Sequence, residues 1–135
     1  MTRREAVLWL RAAEEDLLDA EDALRRRRWF RAAFFAHQVV EKALKALYYI
    51  VLRREPPRIH TVTELYRELY EGGLRLPPSL EGSLYVMNKY YTVTRYPDAA
   101  NGLPSESVDE EEARRAVEIA RRILEEARKA IYRAP

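Results

Sequence analysis

Apolar side chains recur every three or four residues along each long segment of this chain, and nowhere in the two-residue rhythm of a strand. The first stripe is Leu10, Ala13, Leu17, Ala20 and Leu24; the last is Ala113, Val117, Ala120, Leu124, Ala127 and Ile131. Steps of three and four collect such residues on one face of an α-helix, whereas a strand would scatter them over both faces. Between them, a segment opening near Trp29 carries Phe30, Ala33, Phe34, Val40, Leu44, Leu47 and Val51 at the same spacing. That segment is apolar almost all round, which marks it as the central helix. Two shorter stripes follow, Val62-Leu65-Leu69 and Leu80-Leu84-Met87-Tyr91. The pattern predicts an all-α, up-and-down bundle of about five helices, with short connections that make sequential helices antiparallel. At 135 residues the chain is expected to form one domain, 1–135.

Punctuation residues divide the stripes. Thr2-Arg3-Arg4-Glu5 and Thr61-Val62-Thr63-Glu64 have the spacing of capping boxes. Pro56-Pro57 is expected to stop the second helix, since proline lacks the amide donor and disfavours helix in the residue before it. Gly72-Gly73 should close the third, Pro77-Pro78 precede a start near Ser79, and Pro97 end the fourth. Asn101-Gly102-Leu103-Pro104 is loop chemistry, and the last helix should open at Ser107 or Asp109 with Glu110, Glu111 and Glu112 in its first turn. Trp29, Phe35, Tyr48 and Tyr49 are more aromatic surface than one small bundle easily covers, and a two-fold symmetric homodimer would bury the surplus.

Composition narrows the function classes. No apolar run approaches the roughly 20 residues of a membrane helix, and Met1-Thr2-Arg3-Arg4-Glu5 leads into an amphipathic stretch unlike a secretion signal. A cytoplasmic location is therefore expected, with no membrane attachment. The chain has no Cys and only two His, so neither a metal nor a cofactor is expected. Dense Arg and Glu with no Cys suit a heat-adapted protein. A net charge of +2 argues against a protein that coats nucleic acid. Arg25-Arg26-Arg27-Arg28 with Arg31 nevertheless forms a positive knot, which can hold phosphate groups. The same run also suits the negative end of a helix dipole.

Two polar clusters exceed what helix packing requires. Inside the central helix, Glu41 and Lys45 stand four apart in the favourable order, worth about 0.2–0.5 kcal/mol as an exposed pair. His37 lies one turn earlier, on the edge of the apolar stripe, where a partly buried neutral imidazole can donate to Glu41. The second cluster is Tyr90-Tyr91-Thr92-Val93-Thr94-Arg95-Tyr96-Pro97-Asp98. There Arg95 can grip a phosphate bidentately while Tyr90, Tyr91 or Tyr96 stacks on a base. Alternatively, Arg95 pairs with Asp98 across the Pro97 turn and the tyrosines only pack.

Taken together, Ala13-Glu14-Glu15-Asp16-Leu17, Gln38-x-x-Glu41-Lys42-Ala43-Leu44-Lys45-Ala46, His60-Thr61 and Arg95-Tyr96-Pro97-Asp98 resemble the HEPN family, the higher eukaryotes and prokaryotes nucleotide-binding domain. The similarity covers nearly the whole chain. It implies a helical bundle that dimerises, a nucleotide or RNA ligand, and pairing with a small nucleotidyltransferase encoded alongside, as in toxin–antitoxin modules. Some members are ribonucleases that use an arginine and a histidine with four to six residues between them, near the fourth helix. After Arg95 the corresponding positions are Ala100, Asn101 and Gly102, which cannot donate a proton. Arg54 and His60 have the spacing but flank Pro56-Pro57, where His60 can simply fix the helix entry at Thr61.

The chain is thus similar to the non-nucleolytic, nucleotidyltransferase-associated branch. Arg95 is expected to hold phosphate, and Tyr91 and Tyr96 to stack or hydrogen-bond, with Asp98 in the same turn. Lys42, Lys45 and His60 are expected to line the same or a neighbouring basic site. The sequence has neither the Gly-rich phosphate loop nor the paired aspartates of nucleotidyl transfer. The rival from another class is a metal-independent endoribonuclease acting through Arg54 or Arg95 with His60. A ligand-free dimeric scaffold is the third reading.

Overall fold

Alanine dominates the stripes of the first, second and last helices, and its small side chain lets their backbones approach closely. The computed structural model describes residues 3–92 and 102–134. Among them run α1 (Arg3–Arg25), α2 (Trp29–Leu47), a wide π-helical turn (Tyr48–Leu52), α3 (Val62–Glu71) and α4 (Pro78–Thr92). A 3-10 turn (Pro104–Glu106) and α5 (Glu110–Arg133) complete the order. The described residues form an all-α bundle of five helices, as the stripes require.

α2 is the hub. Ala32, Ala33, Ala36, Val39, Val40, Ala43, Leu44 and Ala46 are fully buried, and α1, α3, α4 and α5 all pack on it. Cross-helix pairs set the directions. Trp9 with Tyr49 and Asp16 with Lys42 run α1 antiparallel to α2. Glu14 with Arg128 and Glu21 with Arg121 run α5 antiparallel to α1. Ser79 with Arg122 and Lys89 with Glu112 run α4 antiparallel to α5. The six residues of the last stripe, Ala113 through Ile131, are all buried. No helix among the described residues is long and apolar enough to cross a membrane.

Several boundaries depart from the sequence expectations. Pro56-Pro57 does not end the second helix; α2 widens into the π-helical turn and stops at Arg53, whose φ of 54° is left-handed. Thr61 makes no side-chain cap. Asn88 of α4 does that work instead: its Oδ1 accepts from Val62 N–H at 3.1 Å and its amide donates to Thr63 Oγ1 at 2.8 Å. Of the two candidate starts for the last helix, Asp109 is the cap, in a complete box with Glu112 that contributes about 1 kcal/mol. α3 closes at Gly72 and Gly73, and a Cβ on Gly72 would collide with the Leu52 side chain. Leu17 and Leu24 are only partly buried, whereas Tyr90, left off the predicted stripe, is 2% exposed.

The aromatic surplus also shrinks. Tyr48 is sealed, with its hydroxyl donating to Glu68, and Tyr49 is 8% exposed, because the π-helical turn rolls both inward. Trp29 and Phe35 are then the partly buried aromatics left for a homodimer to cover. The Thr2 cap and the Pro97 stop lie outside the described residues.

Candidate functional site

Glu41 and Lys45 face inward from α2, so the expectation of an exposed pair is corrected. Each is 5% exposed, and Lys45 Nζ donates to Glu41 Oε2 at 2.9 Å. The residues around them, Val39, Val40, Ala43, Leu44, Ala46 and Leu47, are all apolar and buried. An ion pair in such surroundings pays a desolvation penalty of several kcal/mol per ion, which mutual attraction offsets only when the geometry is good.

Glu41 then reaches out of the helix. The connection after Pro56-Pro57 brings His60 back over α2, and His60 Nδ1 lies 3.0 Å from Glu41 Oε1 and 3.1 Å from Oε2. A carboxylate only accepts, so Nδ1 carries the proton and Nε2 is the free edge of a half-exposed ring. The ring stacks on Tyr91, at the end of α4, with centroids 4.4 Å apart and planes within 13°. Below it, His37 is fully buried, and its Nε2–H donates to the His60 carbonyl at 3.0 Å. His37 was expected to be partly buried and to donate to Glu41; instead its Nδ1 stands 4.0 Å from that carboxylate and 3.2 Å from the Gln38 side chain.

Burial is the main influence on the His37 imidazole and pulls its pKa below the ordinary 6.5, with Glu41 pulling the other way. Above pH 6.5 both folded and unfolded chains hold this ring neutral, so its full contribution to stability is present. As the pH falls through 6.5, the unfolded chain takes up a proton that the folded chain refuses. Urea unfolding across a pH series should therefore show stability falling below about pH 6.5. His37→Gln should flatten that decline; an unchanged slope in the variant would contradict the assignment.

On its other side Lys45 forms part of the wall of a cavity of about 260 Å³ with Trp9, Tyr49, Glu55, Pro56, Pro57 and Arg58. Its Nζ lies 5.7 Å from the Trp9 ring centre, and Trp9 Nε1 donates to the Tyr49 hydroxyl at 3.3 Å. A larger hollow, about 310 Å³, lies elsewhere, between the α1–α2 turn and α5. The cleft by Lys45 holds an ammonium, a guanidinium, the Glu55 carboxylate and two aromatic faces, with an imidazole anchored to Glu41. Such a set can neutralise a phosphate, stack a base and offer one acid–base nitrogen.

The structure joins Lys45, His60 and Tyr91 into this one cluster, with Glu41 as the link. It places Lys42 differently, on Asp16 of α1 at 2.7 Å. Arg54 is 3.2 Å from Glu68 and lies over the Tyr48 ring at 5.1 Å, so its pairing is with α3 and not with His60. Arg95, Tyr96 and Asp98 lie outside the described residues. Trp9, Tyr49 and Arg58 went unnoticed as site residues, because only the fold brings α1 and the proline connection together. Among the described residues, no group of three or more His, Asp or Glu is arranged to hold a metal ion.

The HEPN domain family model matches residues 6–130 of this chain. A crystal structure of a protein from Thermus thermophilus is similar over 93% of this chain and 98% of that one, with a TM-score of 0.83 and 31% identity. The crystal structure of an archaeal HEPN homologue is similar over 97% of this chain and 99% of that one, with a TM-score of 0.75 and 29% identity. No curated protein matches the sequence.

Proposed function

This chain belongs to the HEPN domain family, and from that premise we propose that it is a nucleotide- or RNA-binding subunit whose ligand enters the cleft beside Lys45. The observation that carries this reading is the charged pair Glu41–Lys45, held inside the most apolar helix yet opening onto a cavity. Replacing a buried ion pair with well-packed apolar groups is often neutral or stabilising, so stability alone gives little reason to keep one. Phosphate sits against Lys45 and Arg58, a base packs on Trp9 or Tyr49, and the stacked His60 and Tyr91 extend the surface. Arg95, Tyr96 and Asp98 follow Tyr91 closely in sequence; Arg95 is proposed to hold phosphate, and Tyr96 and Asp98 to stack on or hydrogen-bond to the ligand.

The subunit is proposed to be one domain that dimerises and works in the cytoplasm beside a small nucleotidyltransferase, in a toxin–antitoxin-like module. The partner supplies any transfer chemistry.

Calorimetric titration with AMP, ATP and GTP tests the binding reading. Arg58→Ala should weaken the best of these about tenfold, the worth of a charge-assisted hydrogen bond of about 1.5 kcal/mol. Absence of both heat and thermal shift with all three would favour a ligand-free scaffold.

A second reading has its own observation, the Glu41–His60 contact. A carboxylate that holds the Nδ1–H tautomer leaves Nε2 as a general base, the arrangement that activates a hydroxyl. In an endoribonuclease of that kind Nε2 takes the proton of the ribose 2′-hydroxyl, and Lys45 with Arg58 balances the charge that develops. Incubation with mixed RNA separates the two readings. Cleavage that His60→Ala abolishes would establish the nuclease.

A further inference from the structure

The opposite end of the α1–α2 pair carries a second basic and aromatic surface that the cleft does not use. α1 ends in the arginine knot, and its closing turn is a Schellman motif: Arg28 N–H donates to Ala23 O at 2.9 Å and Arg27 N–H to Leu24 O at 3.1 Å. The motif requires a left-handed residue at Arg27, whose φ is 61°. Glycine is the usual occupant, since it meets no steric penalty there. Arginine in its place keeps a strained backbone and gains a guanidinium at the turn.

That guanidinium lies over the Trp29 ring at 5.7 Å, and Arg114 of α5 lies over the same ring at 6.0 Å. Arg28 and Arg31 are placed likewise on Phe30, at 5.7 and 5.3 Å. Arg25 and Arg26 share Asp22, and Arg114 pairs with Glu110. Among the described residues, Arg27, Arg28 and Arg31 form no ion pair. The cavity of about 310 Å³ here is lined by Arg25, Arg27, Trp29 and Arg114, with Glu110 as its one carboxylate. Cations at a helix end need not gather on aromatic rings to satisfy the dipole. Arginines gathered about an indole, beside open space, suit the basic and aromatic surface on which single-stranded nucleic acid rests.

We propose that the α1–α2 turn is a single-stranded RNA contact, with Arg27, Arg28 and Arg31 on phosphates and Trp29 as the stacking platform for a base. Trp29 is 16 residues before Lys45 on α2, roughly 24 Å along the helix axis at 1.5 Å per residue. A mononucleotide in the cleft cannot span that distance, so for a ligand of that size the two contacts are separate, whereas a single strand of several nucleotides is long enough to reach both. The only two tryptophans fall one to each place, Trp9 in the cleft and Trp29 at the turn.

Fluorescence of the Trp9→Phe protein therefore reads the turn alone. Titration with an oligouridylate RNA should quench Trp29. Arg27→Gly in that background should weaken binding about five- to tenfold and make the slope of log K against log salt shallower by about 0.7, one single-strand phosphate. The same substitution should leave the melting temperature equal or higher, because glycine relieves the left-handed strain. Trp29→Leu, followed by filter binding, should weaken RNA further while heparin affinity stays unchanged. The proposal is overturned if Arg27→Gly leaves RNA affinity and salt slope intact. It is equally overturned if heparin and RNA respond alike to Trp29→Leu, or if phosphatidylserine vesicles bind while RNA does not. Nucleotide heats at the cleft are untouched by Arg27→Gly, so failure here is distinguishable from failure there.

Discussion

Glu41→Ala should destabilise the protein by about 3–5 kcal/mol, the usual effect of removing one partner from a buried ion pair. The size follows from what is left behind. Lys45 would be left 5% exposed without its carboxylate, meeting solvent only where it borders the cleft. His60 would lose the acceptor for Nδ1 and with it the anchor of the connection between α2 and α3. Most small domains have only about 5–15 kcal/mol of stability in total, so the variant should melt far below the parent. Chemical denaturation is the appropriate measurement. A loss under about 1 kcal/mol, the level of a surface pair, would mean that burial of the pair carries little of the stability.

Leu44→Ala should be nearly as damaging, at about 2–5 kcal/mol, for a different reason. Leu44 is fully buried on α2, the helix against which the other four pack, so no neighbour can move in from solvent to fill the void. Leu18→Ala makes the control: Leu18 is 66% exposed on α1, and its truncation should change stability by less than about 0.5 kcal/mol. Urea unfolding of both variants tests whether α2 is the hub. Equal effects would place the core elsewhere.

How far the sequence could be read differs between fold and site, for physical reasons. Helix periodicity is a local property, and the stripe from Ala113 to Ile131 appears in the structure residue for residue as buried surface. Helix ends depend on partners distant in sequence. Asn88 supplants the Thr61 side chain as the cap of α3 because α4 brings it there, and no local rule contains that contact. The same limit hid the cleft. Glu41 and Lys45 have the spacing of an ordinary surface pair, and only the apolar residues on every side of them betray burial. Trp9 and Arg58 meet Lys45 through two separate chain reversals. Lys42, one position after Glu41, turns about 100° around the helix onto Asp16, so adjacency in sequence sends the two side chains to different places.

The arginine knot had two readings, and both apply to parts of it. Arg25 and Arg26 share Asp22 in the last turn of α1, as a dipole-compensating pair would. Arg27, Arg28 and Arg31 lie on aromatic rings instead. The left-handed φ at Arg27 separates the two groups, and a run of identical letters cannot reveal it.

The double variant Glu41→Leu with Lys45→Met, assayed for both unfolding and nucleotide heat, weighs site against scaffold in one protein. If the buried pair exists for a ligand, the double variant should recover most of the stability that Glu41→Ala loses, yet give no nucleotide heat. Full nucleotide affinity in a well-folded double variant would contradict a ligand site at Lys45.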